Sequence, residues 1–195
     1  MQFPDMSSNQ IPLTKGQVAL ADDTDHDFLL QVGRWSYSTN GYAVHYYADE
    51  QGRRKTLYMH RLVMERTLGH TLPAGFQVDH RSRVTEGEKA RLDNRRDNLR
   101  LATRSQNQAN KGRQVNTSEY KGVNRNHATW EARIRYDNRR LHLGNFGAPV
   151  LAALMYDAAS RHLYGDFAGC NFPDIPTPPC VESRLRKVLE RYRLI

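Results

Sequence analysis

Residues 78–107 read VDHRSRVTEGEKARLDNRRDNLRLATRSQN, and this stretch decides the fold. Asp79-His80 closes a short apolar strand carrying Phe76 and Val78. A polar loop follows, and Asn98 leads into a second strand, Leu99–Ala102. Thr103-Arg104-Ser105-Gln106 has the Ser/Thr-x-x-Gln form of a capping box, so a helix starts there and Asn107 lies one turn inside it. The predicted order is strand, loop, strand, helix. In it a carboxylate and an imidazole sit on one strand and an amide faces them from the helix.

These side chains have the parts for metal-assisted phosphodiester hydrolysis. Asp79 and Asn107 offer hard oxygen ligands suited to one divalent ion, Mg²⁺ or Mn²⁺, leaving positions for phosphate. Successive strand residues point to opposite faces, so His80 is expected to turn away from Asp79 and serve a separate role. A neutral imidazole accepts a proton from water, and Asn98 is placed to hold its other nitrogen. Asn94 reads as a turn or cap residue, and His60 as a structural or phosphate-contacting one. His45, His70, His127 and His162 read as ordinary histidines.

The ordered set Asp79-His80, Asp93-Asn94-Arg95-Arg96-Asp97-Asn98-Leu99 and Asn107 resembles the HNH homing endonucleases of the ββα-metal fold, above all the phage intron-encoded subgroup. Met59-His60-Arg61-Leu62-Val63 resembles the helix that commonly precedes that motif. The resemblance covers residues 56–111. It implies His80 as general base, Asp79 and Asn107 as metal ligands, and Asn98 as the residue that positions the base. The sequence departs from the subgroup in a longer loop, Arg81–Leu92, and in Asp93 where Asn is frequent.

Upstream, residues 1–16 read as a mobile lead-in. Val18–Phe28 reads as a strand running into a short, Asp-rich helix start, and residues 34–48 as a hairpin about a two-residue Asn40-Gly41 turn. A short strand at Thr56–Met59 and a helix at His60–Leu68 follow, the helix stopped by Gly69. Residues 1–55 carry no recognisable chemistry.

Across 195 residues, 29 Lys/Arg against 21 Asp/Glu give a net charge of +8. The excess is one-sided: residues 1–60 hold five basic and seven acidic side chains, residues 98–142 ten and three. A surplus confined to one segment points to an anionic partner. With 38% hydrophobic residues and no apolar run of about 20, a membrane span is not expected. Cys170 and Cys180 are too few for a disulfide framework.

Residues 112–117 are polar and aperiodic, the expected linker. Beyond it three strands are predicted, Tyr120–Arg125, Trp130–Tyr136 and Arg139–Phe146, then a helix over Pro149–Tyr164. Trp130, Ala132, Ile134 and Tyr136 alternate with Glu131, Arg133 and Arg135, giving a sheet with one apolar and one cationic face. The helix covers the apolar face. Arg133, Arg135, Arg140 and His142 remain together on the other, matched to the major groove of duplex DNA. A short amphipathic helix is expected over Val181–Arg193.

Tyr120-Lys121-Gly122-Val123, Trp130-Glu131-Ala132-Arg133-Ile134-Arg135, Leu143-Gly144-Asn145-Phe146, Tyr156-Asp157-Ala158-Ala159 and Asn171-Phe172-Pro173 resemble the plant Apetala/ethylene-response-factor DNA-binding domain over residues 118–173. The resemblance implies Lys121, Arg125, Arg133, Arg135 and Arg140 as DNA contacts. His142 stands where that family usually has Trp, and Asn124 where Arg is common, so a different target sequence is expected.

The whole reads as an α+β chain: a ββα-metal HNH nuclease module, then a three-stranded antiparallel sheet packed on one helix. The expected activity is metal-dependent, homing-endonuclease-like cleavage of double-stranded DNA. With one site per chain, nicking by a monomer or weak dimer is expected, in the cytoplasm of a cell hosting a phage or mobile element. The rival from another class is a non-catalytic, sequence-specific DNA-binding transcription regulator. An RNA-directed role is disfavoured, because no aromatic stacking platform interrupts the basic face.

Overall fold

The structure, a computed structural model, describes residues 9–82, 88–111 and 118–195. The linker expected at 112–117 and the middle of the Arg81–Leu92 loop lie outside the described residues. Fifteen regular elements are named here from the N-terminus: β1 (Gln10–Pro12), β2 (Val18–Leu20), α1 (Asp23–Val32), β3 (Ser36–Tyr37), β4 (Ala43–Ala48), β5 (Arg54–Tyr58), α2 (Met59–Leu68), β6 (Phe76–His80), β7 (Leu99–Thr103), α3 (Arg104–Asn110), β8 (Val123–Asn126), β9 (Thr129–Tyr136), β10 (Arg139–Phe146), α4 (Pro149–Tyr164) and α5 (Pro179–Arg191). The chain divides into two compact units, Met1–Thr103 and Arg104–Ile195.

The first unit is built from three small antiparallel sheets, β1-β2, β3-β4-β5 and β6-β7. Their apolar sides meet α1 and α2 around Ile11, Ala19, Leu29, Trp35, Met59 and Val63, all at most 2% exposed. Trp35 donates its indole N–H to the Leu29 carbonyl at 2.7 Å, which satisfies the polar end of an otherwise apolar anchor. Two expectations are corrected here. Residues 10–16 are ordered, because Ile11 is wholly buried and β1 pairs with β2. The Asn40-Gly41 turn belongs to a longer loop, closed by Ser38 N–H to Tyr42 O with Gly41 at φ +80°.

The second unit holds the sheet β10-β9-β8, all antiparallel, with α4 on one face. Val123, Ala132, Ile134, Leu141 and Leu143 from the strands pack on Ala152, Met155, Ala159 and, from α5, Val181, Leu185 and Leu189. Helix α4 runs over the expected span, with Pro149 in its first turn and Gly165 at its end. Helix α5 begins two residues earlier than expected, at Pro179. It closes the free edge of β10: His142 N–H donates to Tyr192 Oη at 3.0 Å, and Arg191 Nη2 donates to the His142 carbonyl at 3.2 Å.

Asp157 explains why distant parts of the second motif belong together. It is wholly buried and accepts Asn171 N–H at 2.7 Å, Phe172 N–H at 2.8 Å and Asn171 Nδ2 at 3.0 Å. Asn171 Oδ1 in turn accepts Lys121 N–H at 2.6 Å. Gly122, at φ +73°, admits no larger residue: a Cβ there would stand 2.0 Å from the Tyr156 ring and 2.7 Å from the Arg133 carbonyl.

Candidate functional site

Strands β6 and β7 set Asp79 and His80 by register, pairing Asp79 with Arg100 and His80 with Leu99. Both are buried, at 6% and 7% exposure. Arg100 Nε and Nη2 each approach Asp79 Oδ2 at 3.0 Å. The His80 ring meets Asn94, which is fully enclosed: His80 Nε2 lies 3.4 Å from Asn94 Oδ1. Asn94 Nδ2 donates to the Leu92 carbonyl at 3.0 Å and to Met59 Sδ at 3.4 Å, so the amide presents its oxygen to the imidazole. That contact favours the tautomer with the proton on Nε2, which leaves Nδ1 as the basic nitrogen.

Burial drives the His80 pKa down to about 4; the Asn94 bond and the Asp93 charge pull upward, and Arg91 pushes down. The ring is therefore neutral at pH 7. His60 lies beside it, ring centroids 5.2 Å apart, with a pKa lowered to about 3 by burial and then by His80 and Arg61. Its Nδ1 is buried with no hydrogen-bond partner among the described residues. Tyr42, 5.0 Å from His60 and 6.1 Å from His80, and Tyr58, 5.5 Å from His60, complete an aromatic surround.

Asn98 does something other than expected. Its Oδ1 accepts Ser82 N–H at 2.9 Å and its Nδ2 donates to the Asp93 carbonyl at 2.7 Å, so it ties together the two ends of the loop. The amide that faces His80 belongs to Asn94, which the sequence suggested as a turn residue. A polar residue two positions after buried Leu92, in a stretch rich in arginine, gave no periodic signal of burial. Asn107 stands on α3, in the second unit.

A divalent ion fits the donor chemistry. The Asp79 carboxylate is a hard oxygen donor of the kind such a cation takes, with most of its positions left to water and phosphate. Among the described residues no group of three or more His, Cys, Asp or Glu forms a cage.

On the second unit, the cross-strand pairs Arg135–Arg140 and Arg133–His142 place four cationic or ionisable side chains on one face of β9 and β10. Arg133, Arg135 and Arg140 are exposed. Glu131, buried beneath them, takes Arg133 Nη2 at 2.5 Å and His142 Nε2 at 3.2 Å, so it aims two of the four. Arg125 lies over Trp130 at 5.0 Å and donates to the His127 carbonyl. Lys121 departs from the expected outward contact: its ammonium donates to the carbonyls of Ala109 and Lys111. Carbonyls at the end of α3 lack helical partners and attract a cation.

Residues 57–109 match the family model described as HNH endonuclease. Similar proteins include Dehydration-responsive element-binding protein 2D of Arabidopsis thaliana, 50% identical over 58 residues, 28% of either chain. An uncharacterized HNH endonuclease of Acanthamoeba polyphaga mimivirus is 26% identical over 138 residues, 71% of this chain and 66% of that one. An ethylene-responsive transcription factor of Arabidopsis thaliana is 39% identical over 71 residues, 35% and 36% of the two. The chain thus spans between 28% and 66% of the length of these three relatives. No solved structure matches it. Part of the chain is thus similar to HNH endonucleases and another part to plant dehydration-responsive and ethylene-responsive DNA-binding proteins. No helix among the described residues is long and apolar enough to cross a membrane.

Proposed function

We propose that this protein is a metal-dependent endonuclease that hydrolyses one phosphodiester of duplex DNA at a preferred sequence, its C-terminal sheet holding the duplex. The supporting observation is a buried, neutral His80 whose Nε2 faces the Asn94 oxygen, next in the chain to a buried carboxylate. His80 Nδ1 takes the proton of the attacking water. The water oxygen bonds to phosphorus as the bond from phosphorus to the 3′ oxygen breaks, and solvent returns a proton to that oxygen. Asp79 and, by the motif, Asn107 would hold Mg²⁺ or Mn²⁺, which stabilises charge on phosphate and leaving group. Asn98 ties Ser82, two residues past His80, to Asp93. Arg133, Arg135, Arg140 and His142 are the proposed major-groove contacts, with Arg125 at the sheet margin and Lys121 supporting α3. One site per chain makes the product a nick, and a phage or mobile element is the proposed source.

One observation favours a second reading, a non-catalytic DNA-binding regulator: Asp79 Oδ2 is already engaged by Arg100. Supercoiled plasmid separates the two. Conversion to open circles with Mg²⁺ and none with EDTA is the expected result; binding without conversion under both conditions supports the regulator.

A further inference from the structure

We infer that Leu20–Asp25, upstream of the matched domain, is a positioning element of the nuclease site: it fixes Asp93–Asn98, and through Asn94 the ring of His80. The inference rests on the proposed role of His80 as base.

Segment 93–98 joins the loop to β7 and, apart from a single 3₁₀ turn at Arg96–Asn98, has no regular structure of its own. Three anchors from the N-terminal region hold it. Leu20 forms a parallel bridge with Asp93, and its carbonyl accepts Asn94 N–H at 2.8 Å. Asp22 Oδ2 accepts Arg96 N–H at 2.7 Å. Asp25, wholly buried, takes Arg96 Nε at 2.7 Å and Nη2 at 2.9 Å, and also Arg66 Nε of α2 at 3.0 Å.

The tolerance at the far end of this chain of contacts is small. His80 Nε2 and Asn94 Oδ1 are 3.4 Å apart, near the outer limit of a hydrogen bond, so a shift of well under 1 Å breaks the contact. With it goes the share of the tautomer preference that Asn94 supplies. An apolar contact in place of Asp25 would fill the space, but it sets no direction. A carboxylate gripping the fork of one guanidinium and the Nε of a second fixes both distance and angle. Asp22 and Asp25 flank the start of α1, so the helix is the rigid arm from which both reach.

The test uses the 195-residue chain without metal, and imidazole ¹⁵N NMR of His80. Wild type is expected to show a single tautomer, protonated on Nε2. Asp25→Asn is expected to show a mixture of tautomers. Should that variant fail to fold, Asp22→Ala, which deletes one bond, is expected to move in the same direction. In plasmid nicking with Mg²⁺, the variants are expected to lose about 10–100-fold in turnover at saturating DNA, with half-saturation unchanged. Asp25→Glu is expected to recover part of that loss. Folded variants with the wild-type tautomer and turnover would overturn the inference while leaving the nuclease reading intact. A wild type that never nicks, with His80 still displaced in the variants, would sink that reading and leave the positioning role standing.

Discussion

Asp25 in the first unit and Asp157 in the second are both wholly shielded from solvent, and burial pushes each carboxyl upward. For Asp25 the guanidiniums of Arg96 and Arg66 outweigh burial, and the carboxyl ends below its ordinary range. For Asp157 the direct donors are neutral, the N–H groups of Asn171 and Phe172, and burial wins despite the more distant Arg161. Charged donors make stronger bonds than neutral ones, which decides the sign. The same contrast runs through the two units. The first turns polar chemistry inward: Asp79, His80, Asn94 and Asn98 are all at most 9% exposed. The second packs Val123, Ala132, Ile134 and Leu141 against its helices and turns Arg133, Arg135 and Arg140 outward. Groups that must hold one protonation state are enclosed, whereas groups that wait for a partner are left in water.

If that division is functional, substitutions in the two units separate cleavage from binding. The largest effect is expected from His80→Ala: nicking falls by about 10²–10⁴-fold, the usual worth of a general base, while duplex affinity by gel shift stays within about two-fold. Cleavage at the wild-type rate would remove His80 from the mechanism. Arg135→Ala is expected to act the other way, costing about 1–3 kcal/mol at the preferred site and leaving turnover at saturation unchanged. Equal weakening on every sequence would make Arg135 a phosphate contact. Glu131→Gln sharpens the case further, since it frees Arg133 and His142 without removing either. Sequence preference is expected to relax at the bases they face, read on a randomised duplex library.

The sheet of the second unit was legible because its code is local. Trp130 to Tyr136 alternate apolar and charged, and period two fixes which residues face the helix before any partner strand is known. Helix α4, from Pro149 to Gly165, carries its own stop signals. Asp79-His80 and the β6–β7 pair were legible for the same reason. The identity of the imidazole's partner was not, because Asn94 and Asn98 differ only in where a loop of 18 residues returns. That return is set by Leu20, Asp22 and Asp25, some 70 residues upstream, and no spacing rule reaches that far. Lys121 was hidden likewise: the expected strand Tyr120–Arg125 begins only at Val123, leaving Lys121 in the turn before β8, and the carbonyls of Ala109 and Lys111 that draw its ammonium come from another element.

The smallest expected effect tests the two buried aspartates directly. A carboxyl lowered on folding stabilises the native state above its unfolded pKa of about 3.9, and that contribution disappears as pH falls through the lower folded value. A carboxyl raised on folding does the reverse: it opposes folding at neutral pH, and the penalty is relieved as pH falls through the raised folded value toward 3.9. Acid therefore withdraws the Asp25 contribution from the first unit and lifts the Asp157 penalty from the second. The chain has two tryptophans, Trp35 in the first unit and Trp130 in the second, so variants keeping only one report each unit by fluorescence. Urea midpoints are expected to fall below about pH 4 for Trp35, and less steeply for Trp130 over the same range. Asp157→Asn removes the ionisable group while keeping most of the shape. It replaces one accepting oxygen with a donor facing Asn171 or Phe172 N–H, so a uniform cost is expected, while the part of the Trp130 pH dependence that Asp157 supplies disappears. Parallel midpoints for both tryptophans, unchanged by Asp157→Asn, would mean that the neutral N–H donors satisfy Asp157 as fully as two guanidiniums satisfy Asp25.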